Sequence, residues 1–192
     1  MKYAAIDIGN VCIAIEKTAP FKGMGLPVEQ GNIPGLAECV AAFEFGQIGE
    51  EEFFRRLTAL PYCKNISVER AAELYDSILL HPVPGMPELL CSLPEMGVTP
   101  VFFSDISTFH LEGSRKRFPE MRNFEGIYSF DYGAYKPSPI LFEAFEKKYG
   151  KPVIYADDRS DLIEGAEKYG WNAHCFRSAE ILKQEIIRIL DK

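Results

Sequence analysis

The sequence predicts an α/β fold, a Rossmann-like parallel sheet with helices on both faces and a small α-helical cap inserted after the first strand. Short apolar segments with the length of buried strands recur along the chain. Amphipathic helical segments separate these strands after residue 100. The stretch between the first two strands also has helical periodicity, and it is too long for a simple crossover connection.

Composition narrows the class of protein. The 192 residues suit one domain, or one domain with an insertion, and 47% of them are hydrophobic. With 21 Lys and Arg against 28 Asp and Glu, the net charge is −7, so we expect no nucleic-acid partner. The cationic run Arg115-Lys116-Arg117 is typical of a solvated helix face.

The cellular compartment is predicted from the absence of membrane-span, signal-peptide and paired-cysteine patterns in the sequence. No run approaches the roughly 20 apolar residues of a membrane span, and the first residues do not have the pattern of a signal peptide. The 5 cysteines are scattered and form no C-x-x-C pair, which favours reduced thiols over a disulfide framework or a zinc site. We therefore expect a cytoplasmic protein without a membrane partner, as a monomer or homodimer.

The strands of the core are predicted first. Three segments are rich in branched or aromatic residues and have strand length: residues 3–8, 98–103 and 152–156. Two weaker candidates are residues 126–130 and 172–176. The three strong candidates each end in polar residues, namely Asp7, Ser104-Asp105 and Asp157-Asp158.

The helices between the later strands carry clear end signals. Ser138-Pro139 is typical of a helix start and leads into "ILFEAFEKKYG", which ends in lysines and a glycine. "SDLIEGAEKYG" has the same ending, and "SAEILKQEIIRIL" is an amphipathic last helix with Ser178 as its predicted N-cap. Pro94 is expected to shorten or bend the helix in "HPVPGMPELLCSLPEMG".

The insertion contains three further amphipathic segments: "LAECVAAFEFG", "EEEFFRRLTAL" and "SVERAAELYDSILL". Turns with proline or glycine separate them, at residues 33–35 and 60–61. We therefore predict a core domain formed by residues 1–14 and 82–192, and a helical cap domain formed by residues 15–81.

The polar strand ends predict a shared site. In open α/β sheets, ligands bind beyond the carboxyl ends of the strands, so Asp7, Ser104, Asp157 and Asp158 would face one crevice. Each of them alone is more simply a turn former or a helix cap. Their recurrence, together with Lys136-Pro137 ahead of a helix, favours a functional site.

Four motifs give these residues a family context. "IDIGNV", "VFFSDIS", "YKPSPILFEAF" and "VIYADDRSDLIEGA" follow one another in the order of the motifs of haloacid dehalogenase (HAD) superfamily hydrolases, which the chain resembles. "FEFGQIGEEEFF", "HPVPGMPELL" and "FPEMRNFEGIYSFDYGAYKP" are similar to small bacterial members with a helical cap after the first motif. Some of those members dephosphorylate sugar phosphates.

The resemblance implies a role for each motif residue. Asp7 would be the nucleophile that forms a covalent aspartyl-phosphate. Mg²⁺ would be held by Asp7, Asp158 and the backbone carbonyl of Gly9. Lys136 would neutralise charge on the nucleophile and on the phosphoryl group, and the Ser104 hydroxyl would bind phosphate.

Three more acidic residues complete the predicted site. Asp105 stands where an asparagine is common and adds negative charge beside the phosphate. Asp157 is expected to position Lys136 or a metal-bound water, and Asp161 is a candidate for further support. Lys22 in "KGMGLP", with Phe43 and Glu44, are possible substrate contacts.

Gly9 departs from the pattern of the phosphatases in this superfamily. Most of them carry a second aspartate there, which acts as general acid and then as base, and losing such an acid typically costs about 10²–10⁴-fold. The leaving group could depart with little protonation, or another residue could deliver the proton. Asp105, Glu16 and His110 are the candidates for that proton.

The favoured function is therefore a Mg²⁺-dependent phosphatase of a small phosphorylated metabolite, with a sugar phosphate as the first expectation. A non-catalytic protein that binds a phosphorylated ligand is the alternative that Gly9 favours. A 2-haloacid dehalogenase ranks lower, because those family members carry a tyrosine at the position of Gly9.

Overall fold

The computed structural model describes residues 1–23, 34–63 and 65–191 of the chain. Its strands are β1 (Lys2–Ile6), β2 (Ile13–Ile15), β3 (Leu79–Pro82), β4 (Val98–Ser104), β5 (Gly126–Tyr128), β6 (Ile154–Asp157) and β7 (Ala173–Cys175). Its α-helices are α1 (Ala19–Gly23), α2 (Leu36–Glu44), α3 (Glu50–Ala59), α4 (Val68–Asp76), α5 (Met86–Ser92), α6 (Thr108–Arg117), α7 (Ser129–Tyr132), α8 (Pro139–Tyr149), α9 (Ser160–Lys168) and α10 (Ala179–Leu190).

Five strands form one parallel sheet in the order β5-β4-β1-β6-β7. Strand β1 lies at its centre, where Ile6 is paired with Phe102 of β4 and with Ala156 of β6. Ala4, Ala5 and Ile6 have no exposed surface, as expected for a strand covered on both faces. The predicted α/β fold with a parallel sheet is confirmed.

Helices cover both faces of this sheet. Ile6 and Phe102 pack on one face with residues of α5 and α10, such as Leu89 and Leu182. On the opposite face Phe103 and Tyr155 pack with residues of α8 and α9, among them Phe142, Phe145 and Ala166. Alternate strand residues therefore supply two apolar layers, and the polar residues that follow the strands are left at the edge of the sheet.

The structure agrees with the predicted helix ends, except that one predicted N-cap serine makes no capping hydrogen bond. The Ser178 hydroxyl accepts a hydrogen bond from the backbone N–H of Ile181, whereas Ser138 makes no such side-chain bond. Helix α5 ends at Ser92, and a 3₁₀ turn over Pro94–Met96 follows, so Pro94 does shorten the helix. The segment 126–130 divides into β5 and the start of α7.

Helices α1 to α4, which we call the helical insertion, lie between β2 and β3. They have an apolar cluster of their own, in which Phe43 stacks on Phe53 at 4.4 Å between ring centroids, and Phe54 and Tyr75 pack beside them. We propose that this separate core makes residues 15–81 a cap domain on a core of residues 1–14 and 82–192. In the part of the chain that the structure describes, no helix has both the length and the apolar surface needed to cross a bilayer.

Several side-chain contacts join the helical insertion to the sheet region. Arg117 of α6 pairs with Asp76 of α4 at 2.7 Å, so the cationic run is not simply solvated. The buried Ser129 hydroxyl donates to the backbone carbonyl of Glu44 at 2.7 Å and accepts from the N–H of Ile106 at 3.0 Å. The antiparallel pair of β2 and β3, which the sequence did not predict, carries the chain into and out of the insertion.

Candidate active site

The crevice forms where β4, β1 and β6 end side by side. Asp7 follows β1 directly, Ser104 ends β4 and Asp157 ends β6. The backbone N–H of Asp7 donates to the carbonyl of Ala156 at 3.0 Å, which continues the pairing of the two strands by one residue. Because the three strands run in the same direction, the polar residues predicted at their ends lie together at one edge of the sheet.

Lys136 lies at the centre of the crevice. Its Nζ contacts Asp7 Oδ1 at 2.8 Å and Asp157 Oδ2 at 2.6 Å, and donates to the carbonyl of Phe103 at 3.0 Å. Only 2% of this side chain is exposed. Burial alone would lower the pKa of Lys136, but the attraction of Asp7 and Asp157 holds that pKa well above its usual range. Lys136 is therefore a permanent cation between two carboxylates.

Burial of Asp7 at this position disfavours the ionised form of its carboxyl group. Burial raises the pKa of its carboxyl to about 6, although Lys136 beside it acts in the opposite direction. The charge of Asp157 raises it further, and a hydrogen bond from Ser104 lowers it. One lysine does not fully compensate Asp7, so additional positive charge would favour its ionised form.

Both carboxylate oxygens of Asp157 are already occupied by protein donors. Oδ2 accepts from Lys136 and from the Tyr155 hydroxyl, and Oδ1 accepts from the backbone N–H of Arg159 at 3.0 Å. This arrangement suits a residue that holds Lys136 in place, which is one of the two roles predicted for Asp157.

Asp158 is held differently. Among the described residues, its carboxylate accepts one hydrogen bond, from Asn10 Nδ2 to Oδ2 at 3.0 Å. Asn10 has a left-handed backbone with φ of 55°, and its Oδ1 accepts from the N–H of Ile15 at 3.1 Å. Asn10 is not among the predicted site residues, although an asparagine after glycine is typical of such a turn.

A divalent cation fits this group of carboxylates. Single oxygens of Asp7, Asp157 and Asp158 lie within 4.8 Å of one another. Because the oxygens of Asp157 are engaged, Asp7 and Asp158 are the better ligands, and the Gly9 carbonyl lies in the same loop. Hard oxygen donors of this kind are those that Mg²⁺ prefers.

Ser104 and Asp105 line the crevice from the β4 side. Ser104 is buried, and Asp105 Oδ1 accepts from the backbone N–H of Lys136 at 2.9 Å. Burial raises the pKa of Asp105, and Lys136 counteracts this effect. Asp105 thus fixes the turn that presents Lys136, a contact that the sequence did not predict.

A cavity of about 620 Å³ extends from these residues towards the helical insertion. Glu44 of α2 lines it, and the Tyr135 hydroxyl donates to Glu44 Oε2 at 2.6 Å. Burial raises the pKa of Glu44, and the bond from Tyr135 lowers it. Phe43, in contrast, lies in the core of the insertion.

The structure does not bring the remaining candidates into the crevice. Asp161 lies at the surface, where Arg159 binds its carboxylate at 2.6 Å. Glu16 accepts hydrogen bonds from Thr18 and faces Lys22 at 3.7 Å. Residues 24–27 of the "KGMGLP" loop lie outside the described residues.

His110 lines the cavity but is a poor proton donor. Its Nε2 lies 3.0 Å from the carbonyl of Tyr75, and its ring stacks on that of Tyr75 at 4.1 Å. Burial lowers the pKa of His110 from 6.5 to about 4. The ring is therefore neutral near pH 7, with Nε2–H committed to Tyr75.

We expect His110 to make the fold sensitive to acid. Between pH 6.5 and pH 4 the unfolded chain binds a proton that the folded chain does not, so stability is lost as the pH falls through this range, by about 3 kcal/mol at most. His110→Gln keeps a donor for Tyr75 and removes this titration. Urea unfolding at pH 7 and pH 4.5 should show a smaller loss in the variant, whereas equal losses would contradict the assignment.

Comparison with solved structures finds proteins whose folds are similar to that of this chain. The chain is similar to a HAD family enzyme, BT-2542 from Bacteroides thetaiotaomicron, with a TM-score of 0.78 and 20% identity over 93% of this chain and 94% of that chain. A complex of that enzyme with magnesium and inorganic phosphate aligns with a TM-score of 0.78 and 19% identity, over 93% and 95% of the two chains. A predicted HAD-like family hydrolase from Porphyromonas gingivalis aligns with a TM-score of 0.75 and 20% identity, over 100% and 98%.

A more distant similarity is to L-2-haloacid dehalogenase from Xanthobacter autotrophicus, with a TM-score of 0.60 and 13% identity over 90% of this chain and 76% of that chain. No family model matches the chain, and no curated protein matches it. The chain has the fold of HAD superfamily hydrolases, which the order of its four motifs implies.

Proposed function

We propose that the chain is a Mg²⁺-dependent phosphatase that hydrolyses a small phosphorylated metabolite through an aspartyl-phosphate on Asp7. The observation that carries the proposal is the buried contact of Lys136 with both Asp7 and Asp157. A salt bridge so deeply buried is poor evidence of stabilisation alone, since desolvation offsets most of its attraction. It suits a site that must keep a carboxylate ionised beside an anionic substrate.

The charges around the cavity support a bound cation. Among the residues that the structure describes, five carboxylates line it, from Asp7, Glu44, Asp105, Asp157 and Asp158, against three basic side chains, from Lys17, Lys136 and Arg159. Asp7, Asp158 and the Gly9 carbonyl would hold Mg²⁺, which supplies the positive charge that lets an anionic nucleophile approach a phosphoryl group. The complex of the similar HAD enzyme with magnesium and phosphate supports this assignment.

Asp7, Lys136 and Ser104 are the residues that we assign to phosphoryl transfer. An Asp7 oxygen forms a bond to phosphorus as the bond to the leaving oxygen breaks. Lys136 and the Ser104 hydroxyl hold the phosphoryl oxygens, and Asp157 and Asp105 hold Lys136 at its side chain and backbone. Water then attacks phosphorus and releases Asp7 and inorganic phosphate. The helical insertion would close the cavity over the substrate.

Phosphate release with and without Mg²⁺ tests the proposal. Phenyl phosphate at pH 7 should be hydrolysed in millimolar Mg²⁺, the rate should vanish with excess EDTA, and added Mg²⁺ should restore it. Equal rates with and without the metal would contradict the proposal.

A non-catalytic binding protein is the second candidate, because Gly9 leaves the usual acid position without a side chain. It predicts that inorganic phosphate with Mg²⁺ raises the melting temperature while no ester is hydrolysed. A dehalogenase is less favoured, since its similarity is more distant and attack of Asp7 on carbon would need no metal, whereas Asp7, Asp157 and Asp158 form a group that could hold one.

A further inference from the structure

The wall of the cavity that faces the phosphate site is apolar. The helical insertion contributes Leu36, Val40, Leu57, Ala71 and Tyr75 to it. These side chains lie on three helices, α2, α3 and α4, so the apolar character does not depend on a single element. The part of a substrate that leaves with the alcohol oxygen would meet this wall.

The polar groups in the same wall are mostly engaged. The His110 Nε2 faces the Tyr75 carbonyl, and the Tyr135 hydroxyl donates to Glu44. A sugar would bring several hydroxyl groups against this surface, and each one buried without a partner would weaken binding. Among the described residues of the wall, the Glu44 carboxylate is the group best placed to accept a bond from a substrate.

Gly9 gives a second, chemical reason to expect a particular kind of leaving group. The usual acid position carries no side chain, His110 is committed to Tyr75, and Asp105 is committed to the backbone of Lys136. These three positions therefore offer a leaving oxygen little help from an acid. A phenol, with a pKa near 10, is stable as its anion far more readily than an aliphatic alcohol.

We propose that the substrate is a phosphate monoester of a phenol whose ring carries a hydrogen-bond donor, ideally an amine, directed at Glu44. This inference rests on the proposed phosphatase activity and names its substrate class. The ring packs on the apolar side chains of the wall, and the donor bonds to Glu44, the one carboxylate among the described residues of that wall. Asp7 bonds to phosphorus as the aryl oxygen leaves as a phenolate, which takes its proton from solvent, and water then releases phosphate from Asp7.

The first arm of the test separates leaving-group acidity from shape. Phenyl phosphate and cyclohexyl phosphate are similar in size and apolar character, but their leaving groups differ in acidity, and glucose 1-phosphate and glucose 6-phosphate add hydroxyl groups. We expect kcat/KM for phenyl phosphate to exceed that for the other three by at least about 100-fold. Gly9→Asp should reduce the ratio of phenyl to cyclohexyl phosphate, because it restores an acid.

The second arm tests the contact with Glu44. 4-(Aminomethyl)phenyl phosphate and 4-ethylphenyl phosphate have nearly the same shape, and we expect a preference of about 10-fold or more for the amine. Glu44→Gln still accepts from Tyr135 but loses its charge, so the preference should disappear, mainly through KM. Glu38→Gln, an exposed position on the same helix, should leave the preference unchanged.

The outcomes are distinct. Asp7- and Mg²⁺-dependent hydrolysis that favours either glucose phosphate or cyclohexyl phosphate would overturn the substrate class and leave the phosphatase in place. An unchanged amine preference in Glu44→Gln would overturn the role of Glu44. If a folded sample hydrolyses none of these esters, the proposed function and the substrate class are both overturned.

Discussion

Asp7→Asn is expected to lower kcat for phosphate release by at least about 10⁴-fold while the protein stays folded. The amide cannot attack phosphorus, so the covalent step is lost and not merely slowed. Single-turnover assays with phenyl phosphate would measure the loss. In the native protein, acid quenching should trap a phosphoryl group on Asp7, and mass spectrometry should find it missing in the variant.

The same substitution has a predicted effect on stability that separates loss of chemistry from loss of fold. Because burial raises the pKa of Asp7 above its unfolded value of 3.8 to about 6, the ionised carboxylate destabilises the metal-free fold at pH 7. Replacing it with a neutral amide should leave the free energy of unfolding unchanged or raise it by about 1–3 kcal/mol. Asp191→Asn, at an exposed helix end, is the control. A strongly destabilised Asp7→Asn would contradict this account.

Lys136→Met should have the second largest effect, on stability as well as on activity. Its removal leaves Asp7 and Asp157 facing each other in a buried site, with oxygens within 4.8 Å. Breaking a buried pair in this way typically costs about 3–5 kcal/mol, because an uncompensated charge remains. We also expect a loss of at least about 10³-fold in kcat, since phosphoryl charge would no longer be neutralised.

A matched surface lysine provides the comparison. Lys148 contacts Glu125 at 2.8 Å, but 52% of its side chain is exposed, so Lys148→Met should cost less than about 1 kcal/mol. Added Mg²⁺ should restore part of the stability of Lys136→Met by replacing the missing positive charge. Urea unfolding of both variants measures the difference, and equal small losses would show that Lys136 is not the compensating cation.

Much of the site could be predicted from the sequence because parallel strands end at one edge of a sheet. Asp7, Ser104 and Asp157 meet for that reason alone, and the Lys-Pro step ahead of α8 brings in Lys136. Predicting that these residues lie close together requires only the correct order and direction of the strands. Their functional roles remain predictions.

Contacts that depend on side-chain direction could not be predicted. Neighbouring residues on a helix point about 100° apart, so Leu162 lines the cavity while Asp161 faces solvent with Arg159. The bond between Tyr135 and Glu44 joins the sheet region to the insertion, and nothing in the local sequence specifies it. Strands β2 and β3 are short and distant along the chain, so neither has a recognisable pattern of its own.

The central position of β1 has a consequence for how the protein is made. Strand β1 is synthesised before its partners β4 and β6, which begin at Val98 and Ile154. At about 5–20 residues per second, translation from Asp7 to Asp157 takes roughly 8–30 s. During that time the apolar strand lacks a neighbour on at least one side, and such an unpaired edge is prone to aggregation. A nascent chain of this fold thus depends on protection until β6 is complete, and only at that late stage can Lys136 pair with both Asp7 and Asp157.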